Sequence, residues 1–153
     1  MKPSVYLCGP MSGLTWQEAL AWRKKCEAEL YSRWRLINPV RSQIATSSIH
    51  DIIPVQLQSD NDYKDLKDTA TGVTAQDEFF IDQSDWLLCN FLNADKVSIG
   101  SVWEMGYAWG THKKILTVLE PGSIHDHPFI RRRSHVFTPS LNEAIEFFKA
   151  IAL

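Results

Sequence analysis

Five short apolar runs, set apart by glycine, proline and polar breaks, restrict the fold of this chain more than any other feature. Lys2 to Cys8, Arg35 to Asn38, Trp86 to Phe91, Ile115 to Leu119 and Ser134 to Phe137 each have the length and composition of a strand. Between them the apolar residues recur at helical spacing. Trp16, Ala19, Leu20, Cys26, Leu30 and Trp34 do so within Thr15 to Trp34; further helices are expected from Thr74 to about Gln83 and from Val102 to Thr111. Pro139-Ser140 opens a last helix that is expected to bury Leu141, Ala144, Ile145, Phe148 and Ile151. Alternation of this kind predicts an α/β fold, a doubly wound five-stranded parallel sheet with helices on both faces. Ligands of such sheets bind beyond the carboxyl ends of the strands.

The 153 residues, 44% of them hydrophobic, suit one domain spanning 1–153. Its one long interruption, from Arg41 to about Thr74, is polar and irregular and offers at most a short helix near Ile49 to Leu57. Loops of that length in compact domains usually carry function or lack order. A formal charge of -2, from 16 basic and 18 acidic side chains, gives no electrostatic case for nucleic-acid polymers or membrane surfaces, which points to small molecules or protein as partners. Cys8, Cys26 and Cys89 lack CxxC or Cys/His spacing, so neither a disulfide framework nor a structural zinc site is expected. With no signal-peptide pattern and no apolar run near the ~20 residues of a membrane helix, the expectation is a soluble cytoplasmic protein.

Within this frame one carboxylate stands out. Glu104 lies inside Ser98-Ile99-Gly100-Ser101-Val102-Trp103-Glu104-Met105-Gly106-Tyr107-Ala108-Trp109-Gly110, otherwise the apolar start of a buried helix. A buried carboxylate needs a partner or a use, because leaving water raises its proton affinity. The plain alternative is a solvent-facing side chain favoured by the helix dipole. The turn Gly9-Pro10-Met11-Ser12-Gly13 follows the first strand, where backbone N–H groups commonly meet a phosphate or hydroxyl. It lacks both the lysine of a P-loop and the third glycine of the dinucleotide fingerprint. Asp77, three residues after Thr74, reads either as part of a helix cap or as an acid near the strand ends, and Ser98 reads as a helix-start serine. Asp85 reads as a helix end or strand start.

Taken in order, these residues resemble the nucleoside 2-deoxyribosyltransferases and the related hydrolases of nucleoside 5'-monophosphates. The resemblance spans nearly the whole chain. It rests on Val5-Tyr6-Leu7-Cys8-Gly9-Pro10-Met11, on Asp77 followed by Ser84-Asp85, on Ser98-Ile99-Gly100 ahead of Trp103-Glu104-Met105-Gly106-Tyr107-Ala108, and on His127-Pro128-Phe129-Ile130. It implies a flavodoxin-like fold and cleavage of an N-glycosidic bond without metal or organic cofactor. Glu104 is then the nucleophile that attacks C1' and forms a covalent glycosyl-enzyme, Asp77 the acid that serves the leaving base, and Tyr6 the hydroxyl that holds the nucleophile; a core aromatic is the alternative for Tyr6. Such chemistry suits a carboxylate that stabilises and then bonds an oxocarbenium-like centre. For the acid, a raised pKa is expected from burial beside Glu104.

The resemblance also implies a substrate site made of Gly9, Met11, Ser12, Gly13, Ser98 and Gly100. A segment from a neighbouring subunit, here His125 to Ile130 with His127 and Phe129 as the best-aligned contacts, would complete it, so a homo-oligomer is expected. Transferases of the family commonly carry aspartate where this chain has Ser98, six residues before the nucleophile, and the monophosphate hydrolases carry serine. A neutral hydroxyl accepts a 5'-phosphate that an aspartate would repel. The first loop lacks the arginine some hydrolases have, with Arg41, Arg131, Arg132 and Arg133 as possible replacements. Trp16 and Trp103 fit either the pocket or the core, and base recognition falls to Asn38 to Gln76. Open alternatives are a transferase to an acceptor base, a hydrolase of monophosphates, and a nucleotide-binding module without turnover.

Overall fold

The computed structural model describes residues 1–42, 50–53 and 69–152. Five strands, β1 (Ser4–Cys8), β2 (Arg35–Ile37), β3 (Trp86–Asn90), β4 (Lys114–Val118) and β5 (Val136–Thr138), pair in parallel in the order β2-β1-β3-β4-β5. That is the flavodoxin-like strand order. Helices α1 (Trp16–Leu30), α2 (Ala70–Asp82), α3 (Ile99–Gly110), α4 (Pro128–Arg131) and α5 (Leu141–Ile151) complete the layers, with a 3-10 turn at Pro39–Ser42.

The strands read as nearly continuous apolar runs because helices cover both faces of the sheet. Alternate residues of β1 divide accordingly. Val5 and Leu7 join Cys26, Leu30, Trp34, Ala144, Ile145 and Phe148 on the side of α1 and α5. Tyr6 and Cys8 join Ile81, Met105 and Ala108 on the side of α2 and α3. This two-residue period delivers the Tyr6 hydroxyl and the Cys8 thiol to the same side.

Side-chain caps set where the helices begin. Thr15 and Glu18 close a reciprocal capping box on α1, with Thr15 N–H donating to the Glu18 carboxylate at 2.8 Å and Glu18 N–H to Thr15 Oγ1 at 3.1 Å. Thr69, not Thr74, caps α2, accepting from Gly72 N at 2.9 Å. Thr74 lies inside the helix, where its hydroxyl donates to the Ala70 carbonyl at 2.8 Å. The irregular segment expected to reach Thr74 therefore ends at least five residues earlier, and the segments 43–49 and 54–68, with most of the short helix expected near Ile49 to Leu57, lie outside the described residues.

Other boundaries also shift. α1 ends at Leu30 rather than Trp34, which turns inward so that its indole N–H donates to the Phe148 carbonyl at 2.9 Å. α3 starts three residues earlier than expected, at Ile99, because Ser98 caps it. Ile151, expected inside, is 38% exposed as the last residue of α5. Among the described residues no helix is long and apolar enough to cross a membrane.

The turn after β1 is tightly constrained. Its residues run antiparallel to 51–53, with Gly13 N–H donating to the Ile53 carbonyl at 2.9 Å and Ile53 N–H to the Leu14 carbonyl at 2.7 Å. Gly13 sits at φ +86°, which favours glycine. At Gly9 the reason is space: a Cβ would stand 2.9 Å from Trp22 Cζ2 and 3.0 Å from the Asn90 carbonyl oxygen. Gly9→Ala is expected to cost about 1–3 kcal/mol through this overpacking. Urea unfolding at neutral pH measures it, and an unchanged midpoint would contradict the packing described.

Candidate active site

At the carboxyl end of β1, three elements bring together side chains that are far apart in sequence. Tyr6, fully buried on β1, donates its hydroxyl to Glu104 Oε1 at 2.9 Å. Two residues on, the Cys8 thiol contacts the Ser101 carbonyl at 3.6 Å and reaches the Glu104 carboxylate. Asp77, from α2, forms a hydrogen bond with Glu104. Helical geometry explains the placement: Ser101, Glu104 and Ala108 share the inward stripe of α3, as Asp77 and Ile81 share that of α2.

Two carboxyls this close in a desolvated site cannot both ionise easily. Burial, then the neighbouring Glu104 charge, pushes Asp77 up to about 8, so near neutral pH it holds the proton and donates it to Glu104. Burial also raises Glu104, while hydrogen bonds from Cys8, Tyr6 and Asp77 and the charge of Arg23 draw it back. The Tyr6 hydroxyl, pushed well above its ordinary value by burial and the adjacent carboxyls, stays a donor. The raised pKa expected for Asp77 from burial beside Glu104 is thus present.

The α3 N-terminus opens beside this pair. Ser98 accepts from Ser101 N at 3.4 Å and donates its hydroxyl to Ser101 Oγ at 2.9 Å. Its own N–H donates to Nε2 of His125 at 2.9 Å. A Cβ on Gly100 would meet nothing within 4 Å, and the first turn carries no acidic residue. In the first loop Ser12 is exposed, Met11 packs against Trp16, Ala19, Leu20, Val40 and Ile53, and Gly13 N–H is already engaged with Ile53.

The structure does not gather every candidate at Glu104. His127 caps α4 through Phe129 N and stacks edge-on against Phe129, whose ring is 77% exposed, so these two face outward together. Arg131 forms a bidentate pair with Asp126, its Nη2 at 2.8 Å, and Arg133 lies over the Trp109 ring at 5.2 Å. The Arg41 side chain lies outside the description, as does most of the expected base-recognition segment. Trp16 is core, whereas Trp103 is 42% exposed and stacks on Tyr107. Asp85 accepts from Ser4 N at 2.7 Å at the opposite end of β1, a structural tie in keeping with its plain reading.

Two residues take roles at the site not anticipated from the sequence: His125, expected with its segment to serve a neighbouring subunit, and Arg23. His125 is 2% exposed, stacked on Phe91 with centroids 4.1 Å apart, and burial holds its imidazole below the ordinary value so that neutral Nε2 can accept from Ser98. Arg23 is 1% exposed on the inner face of α1. Its signal was visible: positions 19, 23, 26 and 30 make one helical stripe, in which Arg23 alone is charged.

A family model for nucleoside 2-deoxyribosyltransferase matches residues 5–128, a span that takes in Tyr6, Asp77, Ser98, Glu104 and His127 and stops short of Phe129. The chain belongs to the nucleoside 2-deoxyribosyltransferase family. Solved structures with the same fold include a 2-deoxyribosyltransferase from Leishmania mexicana, 17% identical over 99% of each chain with a TM-score of 0.63. A CMP N-glycosidase from Clostridium botulinum is 17% identical, covering 96% of this chain and 98% of the other at a TM-score of 0.59. A molybdenum cofactor binding protein from Rippkaea orientalis is 13% identical over 100% and 99% at 0.57. No curated protein matches the sequence significantly. At such identities the structural likeness establishes the shared fold, and this family member's chemistry has to be argued from its own residues.

The shared proton has a consequence for stability. A carboxyl raised to about 8 on folding binds a proton that the unfolded chain releases near pH 4, so the folded state loses stability as pH rises from about 4 to about 8. Asp77→Asn removes that loss. Its Tm advantage over wild type is expected to grow across this window and level off above it; a pH-independent difference in calorimetry would contradict the assignment.

Proposed function

We propose that this family member cleaves the N-glycosidic bond of 2'-deoxynucleosides or their 5'-monophosphates through a covalent deoxyribosyl-Glu104 intermediate. The observation that carries the reading is one carboxylate, held by Tyr6 and backed by a protonated carboxyl, at the strand ends where the fold binds ligands. As the C1'–N bond lengthens, Glu104 stabilises the cationic sugar and then bonds to C1' on the face opposite the base. Asp77 gives its proton to the departing base, so that the proton it held against Glu104 leaves with the base and the nucleophile is freed. In the second half Asp77, now a carboxylate, takes a proton from the acceptor base or from water as that acceptor attacks C1'. Chemistry of this kind draws on no metal or organic cofactor.

The same site favours a 5'-phosphate over a bare hydroxyl. Ser98 is neutral, the first turn of α3 carries no acid, and the helix dipole is positive there. Gly100 leaves room for a phosphate oxygen to approach the backbone. We assign Gly9, Met11 and Ser12 to the other wall of the substrate site, with Gly13 shaping the turn. We infer in addition that His127 and Phe129, outward-facing here, meet the site of a second copy, which makes the enzyme a homo-oligomer. The free, buried state of Cys8, Cys26 and Cys89 suits a reducing cytoplasm.

One assay tests the reading. The protein is incubated with each deoxynucleoside and each monophosphate, with and without a second base, and the bases are followed by chromatography. Release of base from a monophosphate is expected, and Glu104→Gln should lower it at least ~1000-fold with its Tm kept within a few degrees. Exchange of bases would mark a transferase and release alone a hydrolase. Saturable binding without either, or near-normal turnover by Glu104→Gln, would overturn the mechanism.

A further inference from the structure

Arg23 is a buried cation for which the mechanism above has found no task. Its guanidinium donates through Nε to the Leu7 carbonyl at 3.2 Å, through Nη2 to the Gly9 carbonyl at 3.1 Å and through Nη1 to the Ala19 carbonyl at 2.6 Å, and it lies 4.4 Å from the Trp22 ring centre. Among the described residues none of its donors reaches a carboxylate. A full charge 1% exposed and bonded only to neutral carbonyls is costly, unless a negative charge nearby compensates it. The acidic groups that feel it are Glu104 and Asp77 of the site, Tyr6 and Cys8 of β1, and the Cys26 thiol on its own helix.

We propose that Arg23 is a positioning residue: its buried guanidinium ties the end of β1 to α1 and supplies the fixed positive charge that balances the single negative charge shared by Glu104 and Asp77. The two carbonyls it grips flank Cys8 and belong to the stretch that carries Tyr6, so the same side chain fixes the donors to Glu104 and the turn that begins at Gly9. The positive charge lies within the protein, where water does not screen it. The Glu104–Asp77 pair therefore sees Tyr6 and Cys8 from β1, each other from α2 and α3, and Arg23 from α1. Of these, only Arg23 is positive. Trp22 covers the guanidinium and, with the Asn90 carbonyl, excludes any side chain at residue 9.

This proposal rests on the functional reading, yet its decisive test needs no turnover. Carboxyl ¹³C resonances of Asp77 and Glu104, assigned with Asp77→Asn and Glu104→Gln, are titrated in the full chain. Arg23→Gln is expected to raise the midpoint of the shared proton by at least about half a unit, because an opposite charge that favours ionisation is lost. Arg23→Lys keeps the charge and should stay within about 0.3 units of wild type. An unmoved midpoint in folded Arg23→Gln overturns the proposal. Should that variant fail to fold, Arg23→Lys decides, since a rise of half a unit or more there would show that the charge is not the cause. If base release is present, both limbs of its pH profile should shift upward in Arg23→Gln; a uniform loss of rate with unmoved limbs would signify scaffolding only. Absence of base release in wild type would count against the functional reading and leave the titration to judge Arg23.

Discussion

A hydrogen bond between Tyr6 and Glu104 joins strand β1 to helix α3 on the face of the sheet that α2 and α3 cover. Much of the surrounding structure supports that contact. β1 is an inner strand, paired on both edges and wholly buried, so the Tyr6 ring is fixed from both sides, and the two-residue period places Cys8 on the same face. Ser98 caps α3 and is itself anchored to the buried His125, which sets the height at which Glu104 meets the hydroxyl. On the far side of β1, Arg23 grips the carbonyls of Leu7 and Gly9.

The electrostatics follow from burial. One carboxylate can be kept charged in such a place because it collects donors, and a second beside it then retains its proton. Two chemically similar side chains thereby take opposite roles, anion and acid, through environment alone. The division also suits the chemistry proposed, in which one group must meet a developing cation and the other must part with a proton. A buried guanidinium completes the charge balance of the pair without touching either member.

Much of this was legible in the sequence, and the residues show why. Five apolar runs and their helical spacers predict the sheet because strands covered on both faces leave continuous apolar signatures. Glu104 was visible as a charge on an apolar helix, and family resemblance joined it to Asp77, Tyr6 and Ser98. Helix starts were less legible: Thr69 and Thr74 are both cap-forming residues, and the choice between them depends on packing against α3. The buried roles of His125 and Arg23 were illegible for a related reason, since histidine and arginine usually mark surfaces and only tertiary contacts with Phe91 and with the Leu7 and Gly9 carbonyls bury these two. The interruption in the helical stripe at Arg23 was nevertheless there to be seen.

The claim at the centre of the account is that Glu104 bonds to the sugar. Turnover quenched rapidly in acid, followed by proteolysis and mass spectrometry, tests it directly, because cleavage after Lys96 and Lys113 isolates residues 97–113 with Glu104 as their only carboxylate side chain. The account predicts that this peptide carries the added mass of the deoxyribosyl group, with its phosphate when a monophosphate is the substrate, and that Glu104→Gln abolishes the adduct. Base release with inversion at C1', or an adduct on any other residue, would contradict it.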